Sequence, residues 1–501
     1  MVFTTQIFLF VFFPVCLFVY VVIDLISRFN FIEKVLKKIR AKEIVIILFS
    51  LGFYMWTCFD DVFRLLLYIL LVYLLALWLA SVKSKNKYIN INSDNDDAVV
   101  SKGRLYLYSI PFIISIIIII FVLIYYNYSY FLGRIWNMIF DARTFPESLL
   151  APLGLSFITF SAISYLTDIY RGNATVGSFI DCLFYMTFFP KIVSGPIVLW
   201  KDFQPQIKTR KLSLALSSSG INRIMIGFGK KLILADTFGA CLADIPLTGI
   251  DKITAFGSLI LYMLQIYYDF SGYSDIAIGL SNLLGFEFKE NFNFPYRATS
   301  ISEFWRRWHI SLGSWFREYV YFPLGGSRRG KKRTLINLAV VFALTGVWHG
   351  AGWNYILWGI INASAVIIER IVRNKKVYIK TPTIIKYIFT MAIVLFFWQF
   401  FRYESVWDTA RILKIIVGNI RFDNIPYSWD HYFSFKIVVF TVIGIIGSKL
   451  FGSPTLISLQ RSFCAKKIGY IIQEVTLIVV FILSILFMVN STYSPFIYFQ
   501  Y

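Results

Sequence analysis

The sequence predicts an all-α polytopic integral membrane protein with roughly 10–12 transmembrane helices plus re-entrant and interfacial helices. Three observations carry that reading. Of the 501 residues, 58% are hydrophobic and only 15% are charged, with a mean hydropathy of +0.67. Soluble domains run at about 45–50% apolar and about 25% charged. Uncharged stretches of bilayer length recur along the chain, more than a soluble core would bury. Finally, 49 Lys+Arg against 28 Asp+Glu give a net charge of +21. In a membrane chain this reports basic cytoplasmic loops, with no nucleic-acid partner implied.

Apolar segments lie at 6–27, 44–57, 62–82, 105–126, 148–167, 178–200, 232–248, 254–286, 334–349, 351–368, 384–401, 435–452 and 470–490. The first has no basic n-region and no small-residue cleavage site, so it reads as a retained span. The clearest is Leu105 to Tyr126, 22 uncharged residues; as a helix it covers about 33 Å, enough for the bilayer core. Taken together they form one multi-pass domain, with N-terminal spans in 1–147, a core in 148–371 and C-terminal spans in 372–501.

Loop charge gives the orientation. Arg28 to Glu43 holds six Lys/Arg, the next loop offers Asp60 and Asp61, and the following one carries Lys83, Lys85, Lys87, Lys102 and Arg104. Basic loops face the cytoplasm, so the N-terminus is expected outside. The basic stretches Arg370 to Lys380 and Lys449 to Lys467 put Ser491 to Tyr501 outside too, making the number of crossings even. Segment 178–200 departs from this pattern. Basic residues flank both its ends, and Phe189-Pro190-Lys191 with Ser194-Gly195-Pro196 interrupt it, so it reads as a re-entrant loop. Non-helical backbone at that depth must be packed in protein or line a wet cavity. Asn86 to Asp97 is the one notable polar linker.

The five cysteines are scattered without a CxxC pair, and the three histidines (His309, His349, His431) are too few for a His-rich centre, so neither a disulfide framework nor a metal site is expected. Polar and aromatic residues concentrate between Tyr267 and Trp358. His349 lies 16 positions beyond Arg333, with no charge between them. If helical, that run sets His349 about 24 Å beyond a cytoplasmic loop, deep in the bilayer core. An ionisable group at such depth is costly and a functional candidate, although a neutral histidine bonded across a helix interface is the plain alternative. Gly346, Gly350 and Gly352 are expected to weaken the helix there and let a substrate approach the backbone. His309 follows Trp305, Arg306, Arg307 and Trp308, a cluster expected on an interfacial helix. His431, beside Asp430, reads as solvated surface.

The string Gly325-Gly326-Ser327-Arg328-Arg329-Gly330-Lys331-Lys332 approaches a P-loop. The Mg²⁺-binding Ser/Thr is replaced by Lys332 and no strand precedes it, so nucleotide hydrolysis is excluded. A basic loop facing lipid headgroups is the simpler reading, and binding of a thioester donor's phosphates the second. A membrane-embedded histidine without a GxSxG, HExxH, HRD or DFG motif fits a general base acting on a substrate hydroxyl.

The strings Tyr268-Asp269-Phe270-Ser271-Gly272-Tyr273-Ser274-Asp275, Glu303-Phe304-Trp305-Arg306-Arg307-Trp308-His309-Ile310-Ser311-Leu312 and Gly346-Val347-Trp348-His349-Gly350 closely resemble the membrane-bound O-acyltransferase (MBOAT) family, nearest its bacterial alginate O-acetyltransferase-like branch. The resemblance extends to Asp168-Ile169-Tyr170-Arg171-Gly172 and to the ending Ser494-Pro495-Phe496-Ile497-Tyr498-Phe499. It implies the MBOAT fold and O-acyl transfer in a bacterial plasma membrane, with His349 at the family's catalytic histidine and His309 at its second signature position. It further implies a cytoplasmic acyl thioester donor such as acetyl-CoA, no bound cofactor, an extracytoplasmic hydrolase-like partner, and a polysaccharide acceptor such as alginate or another surface glycan. Asp269, Tyr273, Trp305, Arg306 and Arg307 are candidate substrate-binding residues, with Asp269 a possible orienter of His309. The rival class is a glycan or lipid transporter or flippase. It is disfavoured by the missing internal repeat and the scarcity of intramembrane acids.

Overall fold

A computed structural model describes residues 2–27, 39–91, 98–140, 151–192, 194–403, 405–418, 427–449, 458 and 462–490, with side chains between 84 and 108 excepted. Among the described residues there are helices and no strand. Six of these helices are long and apolar enough to cross a bilayer: Phe8–Ile26, Phe59–Lys83, Ser109–Phe140, Trp353–Val372, Thr383–Arg402 and Lys467–Asn490. Large apolar side chains such as Phe18, Phe121 and Ile478 stand exposed on them, as expected where lipid is the solvent. The chain is a multi-pass membrane protein. Asn86 to Ile91 continue the Phe59–Ile91 helix, while 92–97 and the tail 491–501 with its ending motif lie outside the described residues.

Two compact units are present, residues 1–217 with 281–288, and residues 218–280 with 289–501. The first contains the helices Phe13–Ile26, Ala41–Thr57, Phe59–Ile91, Ala98–Phe140 and Leu155–Arg171. Against them lies the interrupted segment, which breaks where Pro190 and Ser194-Gly195-Pro196 predict, into Phe179–Thr187 and Phe189–Ile192 before Trp200–Thr209 begins. Its irregular backbone is packed in protein. The Tyr185 hydroxyl donates to the Val198 carbonyl at 2.7 Å, and the Trp200 N–H donates to Ser164 Oγ at 2.9 Å. Lys191 Nζ bonds Ser161 Oγ at 2.9 Å and stands 3.7 Å over the Tyr185 ring.

In the second unit the Lys252–Leu283 helix crosses Leu214–Phe228 at small residues. A Cβ on Gly272 would meet the Gly227 carbonyl at 2.8 Å, and one on Gly279 would meet the Gly220 carbonyl at 2.6 Å. Close backbone approach of this kind is what small residues permit between membrane helices. A π-helical turn, Gly229–Ala235, follows. Gly330–His349 and Trp353–Val372 then form a helical hairpin, with Thr383–Arg402 packed beside the second helix.

Candidate active site

The short helix Ile301–Arg307 starts at Ser300, whose hydroxyl accepts the Glu303 N–H at 3.1 Å. Burial alone would raise the Glu303 carboxyl, but the Thr299 N–H, the Arg307 guanidinium and the Thr299 hydroxyl together hold it below its usual range. Arg307 is taken up by Glu303 and by the Asn293 carbonyl, and Arg306 is exposed.

The chain then turns sharply. His309 adopts a left-handed conformation, φ 46° and ψ 55°, before the helix Ile310–Phe316 begins. Such a backbone is uncommon for a residue with a side chain and persists only where its surroundings enforce it. Asn291, fully buried, supplies that enforcement. Its carbonyl accepts Ile310 N–H at 2.9 Å, and its side-chain oxygen accepts the Ser311 N–H at 3.2 Å and hydroxyl at 2.9 Å. Its amide nitrogen donates to Ser274 Oγ at 3.0 Å.

This network fixes the state of His309. A backbone N–H can only donate, so the Asn291 atom facing Ser311 is the oxygen. His309 Nδ1, 3.1 Å from that same oxygen, must therefore carry the proton. In the neutral ring Nε2 is then an acceptor; it is buried and has no hydrogen-bond partner. His309 is 3% exposed, with Phe270 edge-on to its ring at 4.7 Å. It is thus buried rather than at a headgroup surface, the position expected from its neighbours alone.

His349 ends the Gly330–His349 helix and is half-buried. Its ring is bounded by Trp348 at 4.7 Å, Trp358 at 5.2 Å and Phe401 at 4.8 Å. His309 and His349 line one cavity of about 90 Å³, walled by Trp305, Trp308, Trp358, Trp398 and Phe401.

The remaining candidates distribute as follows. Trp305 lines this cavity, whereas Tyr273 is buried and is not among its lining residues. Asp269 pairs with Lys231 at 2.8 Å, and Lys231 pairs with Asp236 at 2.6 Å. Asp269 is therefore part of a buried ion triad, and the residue that orients His309 is Asn291. Asp275 is likewise held by Arg223 and Lys230. The glycines around His349 also have a role different from the expected one. A Cβ at Gly346 would lie 2.5 Å from the Tyr355 carbonyl, and one at Gly350 would lie 2.5 Å from the Tyr355 ring. They close the hairpin rather than open the backbone to a ligand.

The basic loop is tied down by hydrogen bonds. Buried Asn337 donates to the Gly326 carbonyl at 3.0 Å, and Tyr321 meets Ser327 at 2.8 Å. Arg328 to Arg333 are exposed. His431 stacks on Tyr427 at 4.1 Å, in the surface position expected. Among the described residues no group of His, Cys, Asp and Glu is arranged to hold a metal.

Residues 134–406 match the family described as MBOAT, membrane-bound O-acyltransferase family. Curated relatives include a probable alginate O-acetylase AlgI of Pseudomonas putida, 34% identical over 379 residues, which covers 70% of this chain and 76% of that protein. A peptidoglycan O-acetyltransferase of Helicobacter pylori is 29% identical over 426 residues, with coverages of 75% and 79%. A teichoic acid D-alanyltransferase of Bacillus subtilis is 32% identical over 250 residues, covering 46% of this chain and 63% of its own.

Proposed function

The chain belongs to the membrane-bound O-acyltransferase family and is an O-acyltransferase; from that premise we propose that it moves an acyl group, in the first instance acetyl, from a cytoplasmic thioester toward a hydroxyl of an extracytoplasmic glycan. The observation that carries this reading is the convergence of two histidines on one membrane-embedded cavity, one of them with its tautomer imposed by Asn291. His349 acts as general base on the acceptor hydroxyl. The hydroxyl oxygen attacks the thioester carbonyl, a C–O bond forms, the C–S bond breaks, and the proton taken by His349 leaves with the thiol. His309 presents a lone pair on Nε2, the polarity that accepts a hydrogen bond from a substrate N–H or O–H. As a neutral ring it has the wrong polarity to stabilise an oxyanion.

A cavity of about 90 Å³ accommodates a small acyl group, whereas a fatty chain would require its walls to part. The activities named for the relatives, on alginate, peptidoglycan and teichoic acid, support a glycan acceptor. Their bacterial sources support a bacterial plasma membrane, and the basic loops support extracytoplasmic termini. A separate extracytoplasmic hydrolase-like protein is proposed to complete delivery to the polymer. The test is purified protein supplied with radiolabelled acetyl-CoA and candidate glycans or partners. Covalent label transfer supports this reading, and uptake into vesicles without covalent transfer would overturn it.

A further inference from the structure

We propose that the groove between the helices Trp353–Val372 and Thr383–Arg402 holds one anionic phospholipid, its acyl chain lying along the groove and its phosphate beside Lys386. This site is independent of the acyl-transfer reading above, because it concerns the face that these helices turn to the bilayer.

Both helices are long and apolar enough to cross a membrane, and they pack side by side. Between them runs a groove of about 710 Å³, walled by Ser364, Ala365 and Ile368 on one helix and by Phe389, Ala392 and Ile393 on the other. Ser364, Ile368, Phe389 and Ala392 are exposed, so the groove opens outward, where the surroundings of a spanning helix are hydrocarbon. A hollow left unfilled forfeits the dispersion contacts of its lining. An acyl chain is the apolar filler that a bilayer supplies.

The length of the groove selects a lipid over a partner helix. Its wall runs from Ile361 to Val372 on one helix and from Ile385 to Phe397 on the other. At the helical rise these stretches measure about 16 and 18 Å, close to half of the ~30 Å hydrocarbon core. That is one leaflet. A spanning helix of a partner or of a second copy needs a seat along the whole core, and this seat stops midway.

Charge selects the headgroup. One end of the groove is polar, with Ser300, Glu369, Tyr378, Thr381 and Lys386 in its lining. Residues 370–380, which lead from the first helix toward the second, carry five Lys/Arg and no Asp/Glu. Lys386 Nζ stands 4.8 Å from the centre of the Tyr378 ring and makes no ion pair among the described residues. Glu369, the one carboxylate of the lining, accepts the Ser302 N–H at 3.0 Å. Basic pockets between membrane helices are where anionic headgroups bind. A second hollow, lined by Val11, Val15, Leu48 and Trp56, has no charged residue in its wall and so provides an internal control. Because Ser300 caps the Ile301–Arg307 helix, the lipid lies against the start of the helix that leads to His309.

The test strips the purified protein of lipid in detergent, supplies phosphatidylglycerol or phosphatidylcholine with identical chains, and reads retention by native mass spectrometry. Phosphatidylglycerol carrying a diazirine on its acyl chain then maps the site by cross-linking. The expected result is one phosphatidylglycerol retained per chain in preference to phosphatidylcholine, with cross-links concentrated in 361–372 and 385–397. Lys386→Gln is expected to lower phosphatidylglycerol retention about 5-fold, the effect of one basic charge on an anionic lipid. Ala392→Trp is expected to remove the cross-links from the groove. Equal retention of the two lipids, or cross-links as dense around Val11 and Leu48, would overturn the inference and leave annular lipid only. Wild-type retention in Lys386→Gln would overturn it too, as would a dimer in detergent whose two copies cross-link through these helices. If Ala392→Trp does not fold, Lys386→Gln decides.

Discussion

His309 gives its Nδ1–H to the side-chain oxygen of Asn291 at 3.1 Å, which sets the tautomer of the ring, while the bonds of Asn291 to Ile310 and Ser311 hold the left-handed turn that carries it. Asn291→Ala removes the contact and frees the imidazole. The expected result is a fall in kcat on the order of 10- to 100-fold, the usual cost of losing a hydrogen bond that orients a functional imidazole, with donor KM unchanged. Asn291→Asp keeps an acceptor for Nδ1–H and is expected to retain more activity than Asn291→Ala. Steady-state kinetics on both variants check the order.

The hairpin that positions His349 depends on Gly346 and Gly359. A Cβ on either would enter the opposing backbone, since Gly359 would meet the Phe342 carbonyl at 2.7 Å. Gly346→Leu and Gly359→Leu are each expected to cost about 1–3 kcal/mol or more through overpacking and to lower activity. Gly352→Ala, where the nearest atom lies at an ordinary 3.5 Å, is expected to be tolerated. Thermal unfolding in detergent compares the three.

Lys231 is 2% exposed at its side chain and lies between Asp236 and Asp269. Lys231→Met leaves two buried carboxylates without their cation and is expected to destabilise the protein by about 3–5 kcal/mol. The combined Lys231→Met, Asp236→Asn and Asp269→Asn variant is expected to recover a large part of that loss, because it removes the uncompensated charge. A double- and triple-mutant series read by thermal unfolding measures the recovery.

For the exposed basic loop, changing Arg328, Arg329, Lys331 and Lys332 to Gln is expected to raise the donor KM and spare kcat if the loop meets the phosphates of the thioester. An unchanged KM with altered loop accessibility to membrane-impermeant reagents would assign these charges to orientation alone.

Much of the fold was legible because its signals are local. Bilayer-length apolar runs mark spans, and Pro190 with Gly195 marks a break whatever else the chain does. That His349 ends a helix rising from the basic loop followed from an uncharged run and a helical rise. The wiring of the site was less legible because it depends on residues distant in sequence. Asn291 gave no signal beyond its place in an Asn-Phe-Asn string, since its importance comes from a turn that brings Ser274, His309 and Ser311 to one amide. Asp269 read as an orienter of His309 because its true partner, Lys231, lies on another helix and is aimed by a π-helical turn that composition does not reveal. Gly346 looked like an opening in a helix because a sequence shows the missing side chain but not the backbone that fills its place.

The central claim is that His349 removes the proton from the acceptor hydroxyl. Its most direct measurement is the rate of labelled acetyl transfer from a thioester donor by purified wild-type protein and by His349→Ala, with folding of both verified by thermal unfolding. The account predicts transfer by the wild type and background transfer by the folded variant. Transfer at a near wild-type rate by His349→Ala would contradict it.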